Sequence, residues 1–121
     1  MEFRDSKGIF QQIADNICEK IMSGDYPVLS KIPSVREQAA TVGVNHNTIM
    51  RTYMELQREN IISNQRGIGY FVTEEAPLRI LQLRKEEFFS HEMPEFIRQV
   101  KLLNLTREEL KPLFYQLNQQ P

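Results

Sequence analysis

Apolar residues fall at helical spacing from about Gly8 to Ser23: Ile9, Phe10, Ile13, Ile17, Ile21 and Met22 form one stripe, predicting an opening helix with a core-facing side. Ser23-Gly24-Asp25-Tyr26-Pro27 ends it, and a short extended connector, 28–33, closes on Pro33. Ser34-Val35-Arg36-Glu37 has the S-x-x-E form of a capping box. The short helix it opens has Val35, Ala39 and Val42 as its expected inner face, and Gly43 stops it. Asn45 is the N-cap of the next helix, whose buried face carries Ile49, Tyr53 and Leu56. Ile61-Ile62-Ser63 and Tyr70-Phe71-Val72 then flank a turn from Asn64 to Gly69, the pattern of a hairpin.

Helix, helix-turn-helix, hairpin is the order of a winged helix. Acidic residues and a proline interrupt the pattern at Thr73 to Pro77, which places a boundary there: a winged helix-turn-helix over 1–75 and a short helical region over 76–121. The stripes of Ile13, Ile17, Ile49, Tyr53 and Leu56 are expected to give the first part a core of its own. In the second part, Leu78, Leu81, Phe88 and Phe89 share a face. Pro94 marks a kink or a new first turn, Phe96, Ile97, Val100 and Leu103 continue a stripe, and Asn104-Leu105 breaks it. Thr106-Arg107-Glu108-Glu109 is a second capping box, leading to Leu110, Leu113, Phe114 and Leu117 on a helix that Pro112 should bend. The fold class is mainly α with a small β-hairpin.

Residues 76–121 hold 18 large apolar side chains among 46. Two or three short helices cannot hide that many against each other, and monomers do not tolerate so large an exposed patch. A homodimer joined through Leu81, Phe88, Phe89, Phe96, Ile97, Val100, Leu103, Leu110 and Phe114 is the economical solution.

A recognition helix reads base edges with its N-terminal residues, here Asn45, His46, Asn47 and Thr48. Asn pairs in bidentate fashion with adenine, and Arg51, one turn after Asn47, reaches a guanine or a phosphate. Asn47, Arg51, Met54 and Arg58 lie opposite Ile49, Tyr53 and Leu56 on the helical wheel. Arg36 projects from the start of the preceding helix, where free N–H groups also favour phosphate. Arg66 beside Gly67 at the hairpin tip suits a minor groove. Each has a plainer reading: Asn45 as a cap, Arg51 and Arg58 as surface partners of Glu55, the glycines as turn formers. For Arg58 the plainer reading is preferred.

Charge complicates this picture. The chain carries a net −1, and residues 1–75 hold eight Lys and Arg against ten Asp and Glu, unlike a typical nucleic-acid binder. Within 31–66, however, Lys31, Arg36, Arg51, Arg58 and Arg66 face only Glu37, Glu55 and Glu59, a net of +2. Positive charge is local, as a small domain docking by one edge requires. A winged-helix module for protein assembly, with weak or lost DNA binding, is the alternative.

Catalytic signatures do not emerge: there is no Gly-rich phosphate loop, no H-E-x-x-H and no G-x-S-x-G, so no enzyme is expected. His46, His91 and the single Cys18 do not make a metal site, and no cofactor is implied. Cys18 lies on the inner stripe of the first helix and reads as a buried, inert thiol. One cysteine, no signal-peptide core and no apolar run near 20 residues point to a cytoplasmic protein away from membranes.

The run from Ile9 to Val72 resembles the DNA-binding domain of the GntR family of bacterial regulators. The matching pieces are Ile13 with the helix around it, Gly24-Asp25-Tyr26-Pro27, Ile32-Pro33-Ser34-Val35-Arg36-Glu37, Gly43-Val44-Asn45-His46-Asn47-Thr48-Ile49, Tyr53-Met54-Glu55-Leu56 and Arg66-Gly67-Ile68-Gly69-Tyr70-Phe71-Val72. The resemblance implies a dimer on a palindromic operator in double-stranded DNA, contacted by Arg36, the start of the recognition helix and the wing tip. Departures from the common pattern are Val28-Leu29-Ser30 where a Pro-Gly-acidic turn is usual, Gln38 for Leu, Asn45-His46-Asn47 for Ser-Arg-Thr, and Met50 for Arg. Loss of arginine at 46 and 50 leaves Arg51 as the expected guanine contact. The asparagine pair and short tail look like the YtrA-type subfamily, whose members are often repressors. The tail is too short to enclose an effector cavity by itself, and a small-molecule effector is left open.

Overall fold

A computed structural model describes residues 8–119. Helix α1 (Ile9–Ser23) buries Ile13, Ala14, Ile17 and Ile21, while Ile9 and Met22 at its two ends are exposed. The core-facing stripe is thus shorter than the periodicity suggests, because no element among the described residues covers the helix ends. Cys18 is half-buried against the core.

Helix α2 (Val35–Val42) starts with the expected capping box: Ser34 Oγ accepts from Glu37 N–H at 3.1 Å, and Glu37 Oε1 accepts from Ser34 N–H at 2.8 Å. The bond from Ser34 N–H holds the Glu37 carboxyl below the usual range. Its inner face differs from expectation. Val42 is exposed, and Gln38 is buried beside Val35. Helix α3 (His46–Arg58) buries Ile49, Thr52, Tyr53 and Leu56. The Thr52 hydroxyl is satisfied within the helix, donating to the Thr48 carbonyl at 2.9 Å.

The hairpin comprises β1 (Ile62–Gln65) and β2 (Gly69–Val72), antiparallel, with Ile62 opposite Val72 and Gln65 opposite Gly69. Pairing therefore runs closer to the tip than the apolar runs alone indicate. On its other edge β2 pairs with the 29–32 connector. Leu29 N–H donates to the Val72 carbonyl, Val72 N–H to Ser30, and Ile32 N–H to Tyr70, with Lys31 bridged to Phe71.

A compact unit runs through Leu83, and a second begins at Arg84. The first extends into helix α4 (Ala76–Glu87) because Ala76 and Ile80 lie in the same core cluster as Ile17, Ile49, Tyr53, Ile61 and Val72. Arg79 on α4 also clasps the end of α3, its guanidinium meeting the Glu59 carboxylate at 2.6 Å and the Glu59 carbonyl at 3.3 Å.

Beyond α4 the helix widens into a π turn (Phe88–Glu92) in which Met93 N–H donates to the Phe88 carbonyl, and then continues as α5 (Met93–Leu102) with Pro94 in its first turn. Proline lacks the N–H and crowds the carbonyl four residues back, and a local widening accommodates both. After Asn104, at φ +55°, Thr106 caps α6 (Arg107–Leu117), which runs through Pro112 without interruption. From Arg84 to Gln119 no residue is buried.

Candidate nucleic-acid interface

Three elements of the first unit carry the candidate contacts, and one buried contact set joins them. The Tyr53 hydroxyl on α3 donates to the Pro33 carbonyl at 2.6 Å and accepts from the Gln38 amide of α2 at 3.2 Å. Its ring meets Tyr70 of β2 edge to face, with centroids 4.9 Å apart. Tyr53 is fully buried, and this burial pushes its phenol up to about 12. The residue at 38, unusual for its type, thus completes a buried polar bridge that sets α2 against α3.

Arg36 lies in the first turn of α2 and is exposed. Asn45 caps α3, its side-chain oxygen accepting from Asn47 N–H at 2.6 Å. That bond orients the first turn, where His46 and Asn47 are exposed and Thr48 is half-buried. The Asn47 amide forms no hydrogen bond with any described residue, so its donor and acceptor pair is open for a base edge. Met54 and Arg58 continue the exposed stripe, and Arg58 is engaged by Glu55. Arg66 and Gly67 form the turn between β1 and β2, with Gly67 at φ +80°, a conformation that glycine adopts without strain.

Arg51 has an unexpected neighbour. Its guanidinium carbon sits 4.8 Å above the ring of Phe10 on α1, a cation–π contact. The sequence places Phe10 only in the core stripe, whereas the ring is half-buried beneath Arg51. Lys31 is a cation that the sequence counts in the basic segment but does not assign to the interface. Its stem crosses β2 at Gly69, where a Cβ would lie 2.7 Å from Lys31 Cε. The available signal is slight: one exposed cation beside buried Ile32 on a connector whose pairing partner is far along the chain.

The residues singled out for dimer contact are spread over α4 (Leu81), the π turn (Phe88, Phe89), α5 (Phe96, Ile97, Val100), the loop after it (Leu103) and α6 (Leu110, Phe114). Val100 and Leu110 are half-buried, and the other seven are exposed. Phe88 and Phe89 meet edge to face at 5.4 Å. Among the described residues there is no group of three metal-ligating side chains, and no helix is long and apolar enough to cross a membrane.

Residues 9–72 match the family described as bacterial regulatory proteins, gntR family. The HTH-type transcriptional regulator YhcF of Bacillus subtilis is 39% identical over 109 residues, covering 90% of this chain and 88% of that protein. The HTH-type transcriptional repressor YtrA of the same organism is 37% identical over 79 residues, 65% of this chain and 61% of YtrA. A crystal structure of a GntR-family transcriptional regulator from Bacteroides thetaiotaomicron shares 43% identity and superposes with a TM-score of 0.79, covering 91% of this chain and 96% of that one. The chain belongs to the GntR family of bacterial regulatory proteins and is a YtrA-like, DNA-binding winged helix-turn-helix transcriptional regulator rather than an enzyme.

Proposed function

We propose that this regulator is a cytoplasmic repressor that binds a palindromic operator as a homodimer, with DNA reading in residues 1–75 and pairing through 76–121, whose first turns also lend Ala76 and Ile80 to the core. The observation that carries the pairing is the lack of any buried residue from Arg84 to Gln119, although Phe88, Phe89, Phe96, Ile97, Leu103 and Phe114 lie within that stretch. Such a surface gains roughly 25 cal/mol for each Å² of apolar area removed from water, and a two-fold partner presenting the same surface is its natural cover. Repression is the direction named for YtrA of Bacillus subtilis.

Asn47 reads a base edge, supported by its open amide in the first turn of α3. Asn45 orients that turn, and His46, Thr48 and Arg51 flank the reading position. Arg36 anchors phosphate, and Arg66 with Gly67 approaches the minor groove. Sedimentation of the purified protein, with selection of bound duplexes from a random pool, tests the whole reading. The expected outcome is a dimer that selects an inverted repeat, a monomeric Phe96→Glu variant that loses the full site but keeps the half-site, and an Asn47→Ala variant relaxed at one base position. A monomer, or selection of no sequence, refutes it and favours an assembly module.

A further inference from the structure

Gly69 opens β2 at φ +143°, and a side chain there would collide with Lys31: the Cβ position lies 2.7 Å from Lys31 Cε and 3.5 Å from Nζ. Lys31 stands opposite Phe71 in the antiparallel bridge, so its side chain shares a strand face with Phe71 and with residue 69, two positions nearer the wing turn. The stem therefore lies across β2 in a slot that exists because residue 69 has no side chain, and the ammonium is delivered beside the Arg66–Ile68 turn. Lys31 is exposed and forms no hydrogen bond or ion pair with a described residue. Glu37, the carboxylate whose field it shares, is committed to the Ser34 backbone and hydroxyl.

We propose that Lys31 is a phosphate contact of the wing, aimed by the bare Gly69, and that it contributes affinity without base preference. The inference rests on the DNA-binding reading above. A flexible lysine is a point charge with rotatable donors, suited to a backbone phosphate rather than to a bidentate base edge. The slot gives the stem a path across β2 toward the wing turn. Together with Arg36 on α2 and Arg66 at the wing tip, it gives the interface a third anchoring cation on a third segment.

The test uses the full chain and its Lys31→Gln and Lys31→Arg variants, with matched thermal midpoints as the folding control. Each is titrated across a salt series on two duplexes, one selected by the wild type from a random pool and one of unrelated sequence. Lys31→Gln is expected to weaken both duplexes by the same factor and to flatten the logarithmic salt slope by about 0.9 per bound protomer. A fourfold rise in salt should therefore cost the wild type about three- to fourfold more affinity per protomer than the variant. Lys31→Arg should restore the slope. An unchanged slope in Lys31→Gln, with the wild type binding normally, overturns the assignment to Lys31 alone. A changed base preference overturns it as well. Failure of the wild type to bind either duplex overturns the underlying DNA-binding reading and the Lys31 assignment with it.

Discussion

Replacing Tyr53 by Phe removes one oxygen atom and leaves two polar groups, the Pro33 carbonyl and the Gln38 amide, without their partner. The hydroxyl donates to the Pro33 carbonyl and accepts from the Gln38 amide, and both Tyr53 and Gln38 are buried. A typical intramolecular hydrogen bond is worth about 1 kcal/mol net, but a buried polar group stripped of its partner costs about 1–3 kcal/mol. The Gln38 amide would bear that cost in full, while half-buried Pro33 can recover some hydration. Tyr53→Phe should therefore destabilise the fold by roughly 2–3 kcal/mol. Gln38→Leu removes the polar group itself and should cost less than about 1 kcal/mol. The double variant should be more stable than the sum of the single changes by about 1 kcal/mol, because the leucine no longer needs the hydroxyl. Urea denaturation of the four proteins measures this cycle, and additive effects would refute the buried bridge.

The same hydroxyl gives a pH signature. Burial raises its pKa to about 12, whereas an exposed phenol ionises near 10. The folded state holds the proton after the unfolded state has lost it. The contribution is therefore complete below about pH 10 and disappears as pH rises toward 12, a change of roughly 2–3 kcal/mol that Tyr53→Phe should abolish.

Leu29 has φ +70°, a left-handed conformation that Asn tolerates better than a larger side chain, and it is exposed. Leu29→Asn should stabilise the protein by about 1 kcal/mol, read as a rise in the urea midpoint. Phe10→Leu should weaken binding to the selected duplex by about two- to fivefold by releasing Arg51, and it should add nothing to Arg51→Ala in a binding titration of the double variant. Ile80→Ala should cost about 2–5 kcal/mol, although Ile80 lies beyond the acidic boundary. Accordingly, a chain truncated after Leu83 should melt cooperatively and be monomeric, whereas one truncated after Glu75 should be markedly less stable by calorimetry.

Features written in a few neighbouring residues were legible in the sequence. Ser34 and Thr106 both cap through a residue three positions on, and Asn45 caps through its own side chain, so local chemistry alone determines them. The buried face of α3 was equally clear, because Ile49, Tyr53 and Leu56 repeat at helical spacing over its length. What depended on distant partners was not. Periodicity says which residues share a stripe but not where the covering element ends, so Ile9, Met22 and Val42 read as inner residues yet are exposed. Gln38 reads as a polar residue on a helix until Tyr53, fifteen positions away, supplies its partner. Glu74, Glu75 and Pro77 look like a linker, yet Thr73 N–H bonds the Ile61 carbonyl and Ala76 follows directly into the core. The candidate site divides in the same way. Asn47 and Arg66 follow from element order, while Lys31 and Phe10 emerge only when strand pairing and helix packing bring them to Gly69 and Arg51.

The same distinction between sequence and space bears on how an acidic chain can carry unpaired cations in its first unit. Counting charges along 31–66 gives only a small positive excess, because three glutamates are set against the five cations. In the folded unit those glutamates have other engagements. Glu37 accepts from the Ser34 backbone, Glu55 is paired with Arg58, and Glu59 is held by Arg79 from outside the segment. Lys31, Arg36, Arg51 and Arg66 make no ion pair with a described residue. With Glu55 paired to Arg58 and Glu59 to Arg79, the four cations on the connector, α2, α3 and the wing are set against Glu37 alone within the segment. At physiological salt the Debye length is about 8 Å, so on the proposed reading phosphates docked against these cations would sense them far more than the chain's remote acidic groups. The proposed DNA contact therefore rests on local arrangement rather than on net charge.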